Sequence, residues 1–348
     1  MANERMKIRA KAPLRLGLAG GGTDVSPYSD QFGGMVLNAT ISLYAHCSVE
    51  ERDDGRVVID ALDMGEHFEA EAELPLPVTH PLGLICQCYN RIVRDHCKGQ
   101  PFAARITTYA DVPPGSGLGS SSTLVVAVIT ALAEFCRVPL GEYEIAHLAY
   151  DIERIDLGLA GGKQDQYAAT FGGFNLMEFY GDDRVIINPL RLRRATVCEL
   201  EASLILYFSG RSRSSAAIIE EQVKNVSSGS GNSIEAMHQL KEQARRMKEA
   251  LLLADFERFG DELRRGWASK RATAHQITSD TIDHVMDVAM KAGAFGGKVS
   301  GAGGGGFLMI AAPPERKPGI QRELAALKEG IVFNSGFTEH GASAWRVR

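Results

Sequence analysis

Pro113-Pro114-Gly115-Ser116-Gly117-Leu118-Gly119-Ser120-Ser121-Ser122-Thr123 decides how this chain is read. Glycines alternate at 115, 117 and 119, hydroxyl residues fill 120–123, and the apolar run Leu124-Val125-Val126-Ala127-Val128-Ile129 follows. Glycine lets a backbone come close to a ligand and turn its N–H groups inward. A helix starting at the serines adds unpaired N–H groups and the positive end of its dipole. Together they predict an anion site, and phosphate is the anion most often held this way. A plain turn before a well-capped helix would leave a similar pattern. No lysine follows the last glycine, so this is not a P-loop. Gly-x-Gly-x-Gly also lacks the third-glycine spacing of a dinucleotide fingerprint.

Working outward, residues 102–109 predict a strand entering this loop, and about 120–135 a buried helix leaving it. Upstream, residues 7–18 alternate as strands do and run into Ala19-Gly20-Gly21-Gly22-Thr23-Asp24. Residues 35–50 and 55–62 predict two further strands, with Asp53-Asp54-Gly55 as their hairpin turn. Residues 81–97 predict a helix. Downstream, a helix over roughly 140–157 carries Ile145, Leu148, Ala149, Ile152 and Ile155 on one side, with Glu153 beside that stripe. Gly158–Gly162 breaks it, and Lys163-Gln164-Asp165-Gln166 follows. Strands are expected at 174–179 and 184–188, and a solvated connection at Arg191, Arg193 and Arg194.

Length and composition bound the rest. The chain has 348 residues, which suggests about two domains, placed at 1–195 and 196–348. A net charge of −5 argues against nucleic acid or an anionic membrane surface as the main partner. The first residues lack a signal peptide's apolar stretch, and no apolar run is long enough to span a bilayer. Six scattered cysteines without a Cys-x-x-Cys argue against structural zinc and for reduced thiols in a cytoplasmic protein.

The second half opens with an apolar strand at 203–208, followed by Ser209-Gly210-Arg211-Ser212-Arg213. Arg211 and Arg213 could grip a substrate phosphate or face solvent. Residues 226–232 suggest a mobile loop. Helices are expected at 233–253, over the next apolar stripe (Phe256, Phe259, Leu263, Trp267), at 280–292 and at 318–328. A third glycine-rich segment, Lys298-Val299-Ser300-Gly301-Ala302-Gly303-Gly304-Gly305-Gly306, runs into a strand, and a last strand is expected near 343–347.

Three glycine-rich loops, each beside an apolar element, suggest convergence on one ligand. Asp24, Glu153 and Asp165 are the candidate acids of that site. Asp24 could accept hydrogen bonds from two sugar hydroxyls or simply cap a turn. Glu153 could equally be a surface residue and Asp165 a helix cap. A phosphate cradle, a hydroxyl–carboxylate pair for Mg2+ and a carboxylate near an accepting hydroxyl are what phosphoryl transfer requires.

At these residues the chain resembles a known family. Residues 12–24, 113–121 and 298–305 are similar to the three ordered motifs of the GHMP kinases, and the resemblance covers nearly the whole chain. The resemblance implies a two-domain α+β fold, with an N-terminal domain like domain 2 of ribosomal protein S5 and a C-terminal ferredoxin-like domain. It implies ATP as phosphoryl donor, held by Pro114, Gly115, Ser116, Gly117, Leu118, Gly119, Ser120, Ser121 and Ser122. It implies Mg2+ on Ser121 and Glu153, Asp165 as catalytic aspartate, and Arg15 as the basic residue beside it. Gly22, Thr23, Asp24, Gly301 and Gly303 fall on the substrate side.

Arg15–Asp24 looks most like the sugar kinases of bacterial heptose metabolism, which phosphorylate the anomeric oxygen of a heptose 7-phosphate on the way to GDP-heptose for surface polysaccharide. Galactokinases carry Glu-His where Gly21-Gly22 stand here. The substrates implied are a small sugar phosphate and ATP, and a homo-oligomer is left open. An L-fucose or other hexose 1-kinase, and a non-catalytic sugar- or nucleotide-binding protein of this fold, remain alternatives. A nicotinamide oxidoreductase lacks its strand–Gly-x-Gly-x-x-Gly–helix unit here.

Overall fold

The alternation that opens the chain forms β1 (Lys7–Ala19), and β2 (Gly34–Glu51) returns antiparallel to it after the short helix α1 (Tyr28–Phe32). Residues 5–210, 216–274 and 277–347 are described in this computed structural model. The first half continues with β3 (Arg56–Ala61), β4 (Glu66–Glu71), α2 (Gly83–His96), β5 (Ala104–Ala110) and α3 (Ser120–Cys136). After them come α4 (Glu142–Tyr150), α5 (Gln164–Phe171), β6 (Phe174–Phe179) and β7 (Val185–Pro189).

Asp53-Asp54-Gly55 turns the chain but does not join a hairpin. β5 lies between β2 and β3, antiparallel to the first and parallel to the second. Both strands bury one face, Ala104, Ile106 and Thr108 on β5 and Val57, Ile59 and Ala61 on β3. β4, unpredicted from sequence, carries Glu66, Glu69 and Glu71 and takes the edge, where charge discourages further pairing.

The predicted helix at 140–157 is α4 followed by one π-helical turn, Asp151–Asp156. Its i→i+5 bond, Leu157 N–H to Ile152 C=O at 3.2 Å, adds a residue to the turn and shifts the helix phase. Ile155, expected in the apolar stripe, is therefore 69% exposed, while Glu153 is 1% exposed.

The second half begins with α6 (Arg194–Ser203), where a solvated connection was expected. Thr196, Val197 and Leu200 form its buried face, too short a stripe to stand out in sequence. Then come β8 (Leu204–Phe208), α7 (Ala216–Ser227), α8 (Gly231–Leu253), α9 (Phe256–Arg271) and α10 (Asp280–Lys291). The expected mobile loop at 226–232 is a tight α7–α8 turn instead, closed by Gly229 at φ +71°. The chain ends with β9 (Gly296–Val299), β10 (Phe307–Ala311), α11 (Lys317–Ala326), β11 (Ile331–Phe333) and β12 (Ser343–Arg346).

The second sheet has the order β11-β8-β10-β9 with antiparallel pairs throughout. Numbered within the sheet this is 4-1-3-2, the ferredoxin-like arrangement. β12 does not join it. It pairs antiparallel with β1, Ile8 opposite Arg346 and Lys11 opposite Ser343, and covers the free edge of the first sheet. The tail assigned on sequence to the second domain thus completes the first.

One apolar cluster packs β1, β2, β5, α2 and α3. Another runs from Leu14, Leu16 and Leu18 of β1 through Met247 and Leu251 of α8 to Phe259, Leu263 and Phe307. The two halves therefore share a hydrophobic core. Among the described residues no helix is long and apolar enough to cross a membrane.

Candidate active site

The three glycine-rich segments meet in one cleft of about 310 Å³ at the junction of the halves. The close approach depends on glycine. A Cβ at Gly117 would lie 2.6 Å from Ser300 O, and one at Gly306 would lie 2.3 Å from Ser116 O. The second and third loops are thus packed backbone to backbone, with Phe307 N–H donating to Ser116 O at 2.9 Å.

Arg15 enters the cleft next to a register shift between β1 and β2, an irregularity of the kind that re-aims a side chain. It is buried, and both Nε and Nη2 lie 2.7 Å from Asp165 Oδ1. Its Nη1 donates to Gly117 O at 2.7 Å, which ties the phosphate-type loop to the ion pair. Asp165 sits in the first turn of α5, and Gln164 Nε2 also donates to its Oδ1, at 3.2 Å. No donor reaches Oδ2 among the described residues. That oxygen lies 3.0 Å from where a Cβ of Gly119 would stand.

Gly119 has φ +76°, so Gly119→Ala is expected to cost about 1–2 kcal/mol of stability through left-handed strain. It should also lower kcat about tenfold or more by displacing the Asp165 carboxylate. Thermal melting and steady-state kinetics read the two effects separately.

The π-helical turn delivers Glu153 from the other side. Gln166 Nε2 donates to Glu153 Oε2 and to Ser122 Oγ, and Arg154 Nη1 stands 3.7 Å from Oε1. Burial raises the Glu153 pKa, against the pull of Arg154 and of hydrogen bonds from Ser122 and Gln166. The hydroxyl that contacts Glu153 is thus that of Ser122, while Ser121 is more exposed on the cleft wall. Among the described residues there is no cluster of three or more His, Cys, Asp or Glu side chains that could hold a metal by themselves.

Asp24 is buried with both oxygens occupied: Oδ1 accepts from Gly22 N–H and Oδ2 from Gln164 N–H, each at 3.0 Å. Gln164 is the first residue of α5, so Asp24 caps that helix from a distant loop. It also lines the cleft.

Of the other residues singled out from sequence, Gly22, Gly115, Ser120 and Gly301 line the cleft. Ser116 and Leu118 are buried behind it, and Pro114 is on the exposed side of the loop. Thr23 is turned into the protein, where its hydroxyl donates to Gly20 O and Met35 O. Gly303 packs against Ile277, which a Cβ would meet at 2.9 Å. Arg211 and Arg213 lie outside the described residues.

Two lysines that the motif reading did not single out complete the wall. Lys270, in the last turn of α9, donates to Gly21 O at 2.9 Å. Lys298 of β9 donates to Gly17 O at 2.8 Å and Leu18 O at 3.4 Å. Burial pushes the Lys270 pKa down to about 8, with Asp24 opposing and Arg15 adding to the shift. Burial, Lys270 and Arg15 together push Lys298 down to about 7. Lys270 extends the stripe Phe259, Leu263, Trp267 by one more turn, a cation in an apolar row that could have flagged it.

Residues 83–173 match the GHMP kinases N terminal domain, and residues 247–329 match the GHMP kinases C terminal domain. The D-glycero-alpha-D-manno-heptose 7-phosphate kinase of Campylobacter jejuni subsp. jejuni serotype O:2 is 48% identical over 98% of this chain and 99% of its own length. A crystal structure from Bacteroides thetaiotaomicron, described as a D-glycero-D-manno-heptose 1-phosphate kinase, superposes with a TM-score of 0.84. It is 46% identical, over 98% of this chain and 99% of that one. The L-fucokinase/L-fucose-1-P guanylyltransferase of Bacteroides fragilis is 27% identical over 91% of this chain and 36% of its own greater length. Matches to both halves of one family, and near-half identity along the whole chain to one relative, make this protein a GHMP kinase.

Proposed function

We propose that the protein is an ATP-dependent sugar kinase that phosphorylates the anomeric hydroxyl of D-glycero-D-manno-heptose 7-phosphate, giving the 1,7-bisphosphate for GDP-heptose and surface polysaccharide synthesis. The observation that carries this reading is the Arg15–Asp165 pair at the mouth of the glycine loops, with one carboxylate oxygen clamped and the other unengaged among the described residues. The relatives' names support the substrate: both describe a heptose carrying phosphate, though they place it on different carbons.

In this reading the backbone N–H groups of 115–122 and the start of α3 receive the ATP phosphates. Asp24 and the first loop hold sugar hydroxyls. Asp165 Oδ2 takes the anomeric proton as that oxygen attacks the γ-phosphorus, and the bond from the γ-phosphorus to the ADP oxygen breaks. Arg15 and Gln164 fix the carboxylate, and Arg15 carries its orientation to the loop through Gly117 O. An anomeric hydroxyl is more acidic than an ordinary alcohol, so a weak base suffices.

The donor set also fits Mg2+. Glu153 is a buried carboxylate with hydroxyl and amide neighbours, hard oxygen chemistry that would suit an ion bound mainly through nucleotide phosphates. Glu153 would hold it together with Ser121 on the cleft wall, Ser122 orienting the carboxylate, and its contribution there would be to neutralise phosphate charge.

The test is ADP release, coupled to NADH oxidation, with heptose 7-phosphate, mannose, fucose and galactose in parallel. Heptose 7-phosphate should give the highest kcat/KM, with a new anomeric phosphate in the 31P spectrum. Preference for fucose would move the protein to the hexose 1-kinases. ATP binding without turnover of any sugar would favour a non-catalytic binder.

A further inference from the structure

The proposed reaction leaves Lys270 and Lys298 without a task, yet both are nearly sealed in the cleft wall, at 5% and 7% exposure. Among the described residues their ammonium groups donate only to backbone carbonyls, those of residues 17, 18 and 21. Among the described residues no carboxylate comes within 4.0 Å of either ammonium. An ammonium has three N–H donors. Lys270 uses one and Lys298 two on these carbonyls, so donors remain. Burying an unpaired cation is costly, and an arriving anion would complete the arrangement.

The location selects the anion. The ATP phosphates have their own seat in the amides of 115–122. Lys270 lies instead on the first loop: its Nζ is 3.0 Å from where a Gly22 Cβ would stand and it feels the charge of Asp24. Both lysines come from the C-terminal half and reach across to β1 and its loop, the wall assigned to the sugar. A side chain at Gly22 would block Lys270, which gives that glycine a role beyond turning the chain.

We propose that Lys270 and Lys298 form the seat of the acceptor's own phosphate group, and that this seat makes the enzyme select a phosphorylated sugar over its unphosphorylated counterpart. This rests on the reading of the acceptor as a sugar phosphate. The chemistry is charge-assisted hydrogen bonding of a phosphate dianion by two ammonium groups in a water-poor wall.

The experiment compares kcat/KM for heptose 7-phosphate with that for the same heptose lacking phosphate, in wild type, Lys270→Met and Lys298→Met. The ratio between the two sugars should fall by about 30-fold or more in each variant. Methionine keeps the length of the side chain and removes a buried charge, but it also withdraws donors from the carbonyls of Gly17, Leu18 and Gly21, so thermal melting is read beside the kinetics. If either fails to fold, Lys270→Gln or Lys298→Gln replaces it. Equal losses on both sugars would overturn the proposal and assign the lysines to the transferred phosphoryl group. A wild-type enzyme that uses both sugars equally well would also overturn it. A wild type inactive on heptose 7-phosphate but active on fucose would refute the substrate reading itself, and the phosphate seat with it.

Discussion

Asp165→Asn should lower kcat by about 10²-fold or more while leaving ATP affinity near that of wild type. Asparagine is nearly the same shape as aspartate, and its carbonyl oxygen can take the place of Oδ1 opposite Arg15 and Gln164. Its amide then occupies the Oδ2 position, which no protein group engages among the described residues. The clamp survives, and the capacity to accept a proton is lost. ATP would be held on 115–122, which Asp165 reaches only through Arg15 and Gly117 O. Single-turnover kinetics for the chemical step and calorimetric titration with ATP separate the two quantities. Turnover close to wild type would remove Asp165 from the role of base and leave it as an anchor for Arg15.

Asp24→Ala should produce two losses at once. The first is structural. Both carboxylate oxygens accept backbone N–H groups, from Gly22 and from Gln164 at the start of α5. Alanine leaves the Gln164 donor buried without a partner, at about 1–3 kcal/mol, while the half-buried Gly22 donor lies on the cleft wall. The second loss is in recognition: the KM for the sugar should rise about 30-fold or more, because the first loop would no longer be held against α5. Urea unfolding measures the first and steady-state kinetics the second. Asp24→Asn retains one acceptor and should recover part of the stability. An alanine variant as stable as wild type would show that the two backbone bonds contribute little. An unchanged KM would take Asp24 out of sugar binding.

The cleft was legible in sequence to the extent that its residues depend on the backbone. Gly117 and Gly119 have positive φ and close neighbours, demands that only glycine meets easily, and such demands leave a dense local pattern. Asp165 and Glu153 were readable as candidates because acids flank a glycine break. What the pattern could not carry was side-chain direction. Thr23 and Ser116 stand inside their motifs yet face the interior. Glu153 points inward because one π-helical turn changes the phase of a helix whose apolar spacing is regular on paper. Lys270 lies far along the chain from any glycine loop and reaches the site only because α9 packs against β1. The strand β5 pairs with both β2 and β3, a non-local pairing that no local pattern in either strand announces.

The pairing of β12 with β1 bears on the order in which the molecule can be completed. Strand β1 gains its second partner late, because residues 343–346 are synthesised after everything that separates them from β1. Until then one edge of the first sheet presents free N–H and C=O groups, the kind of surface that invites pairing with another chain. The first sheet is closed only once β12 has been made. The two halves of the chain are cooperative partners, joined by both a shared core and a returning thread, so a cut near residue 195 would yield neither half intact.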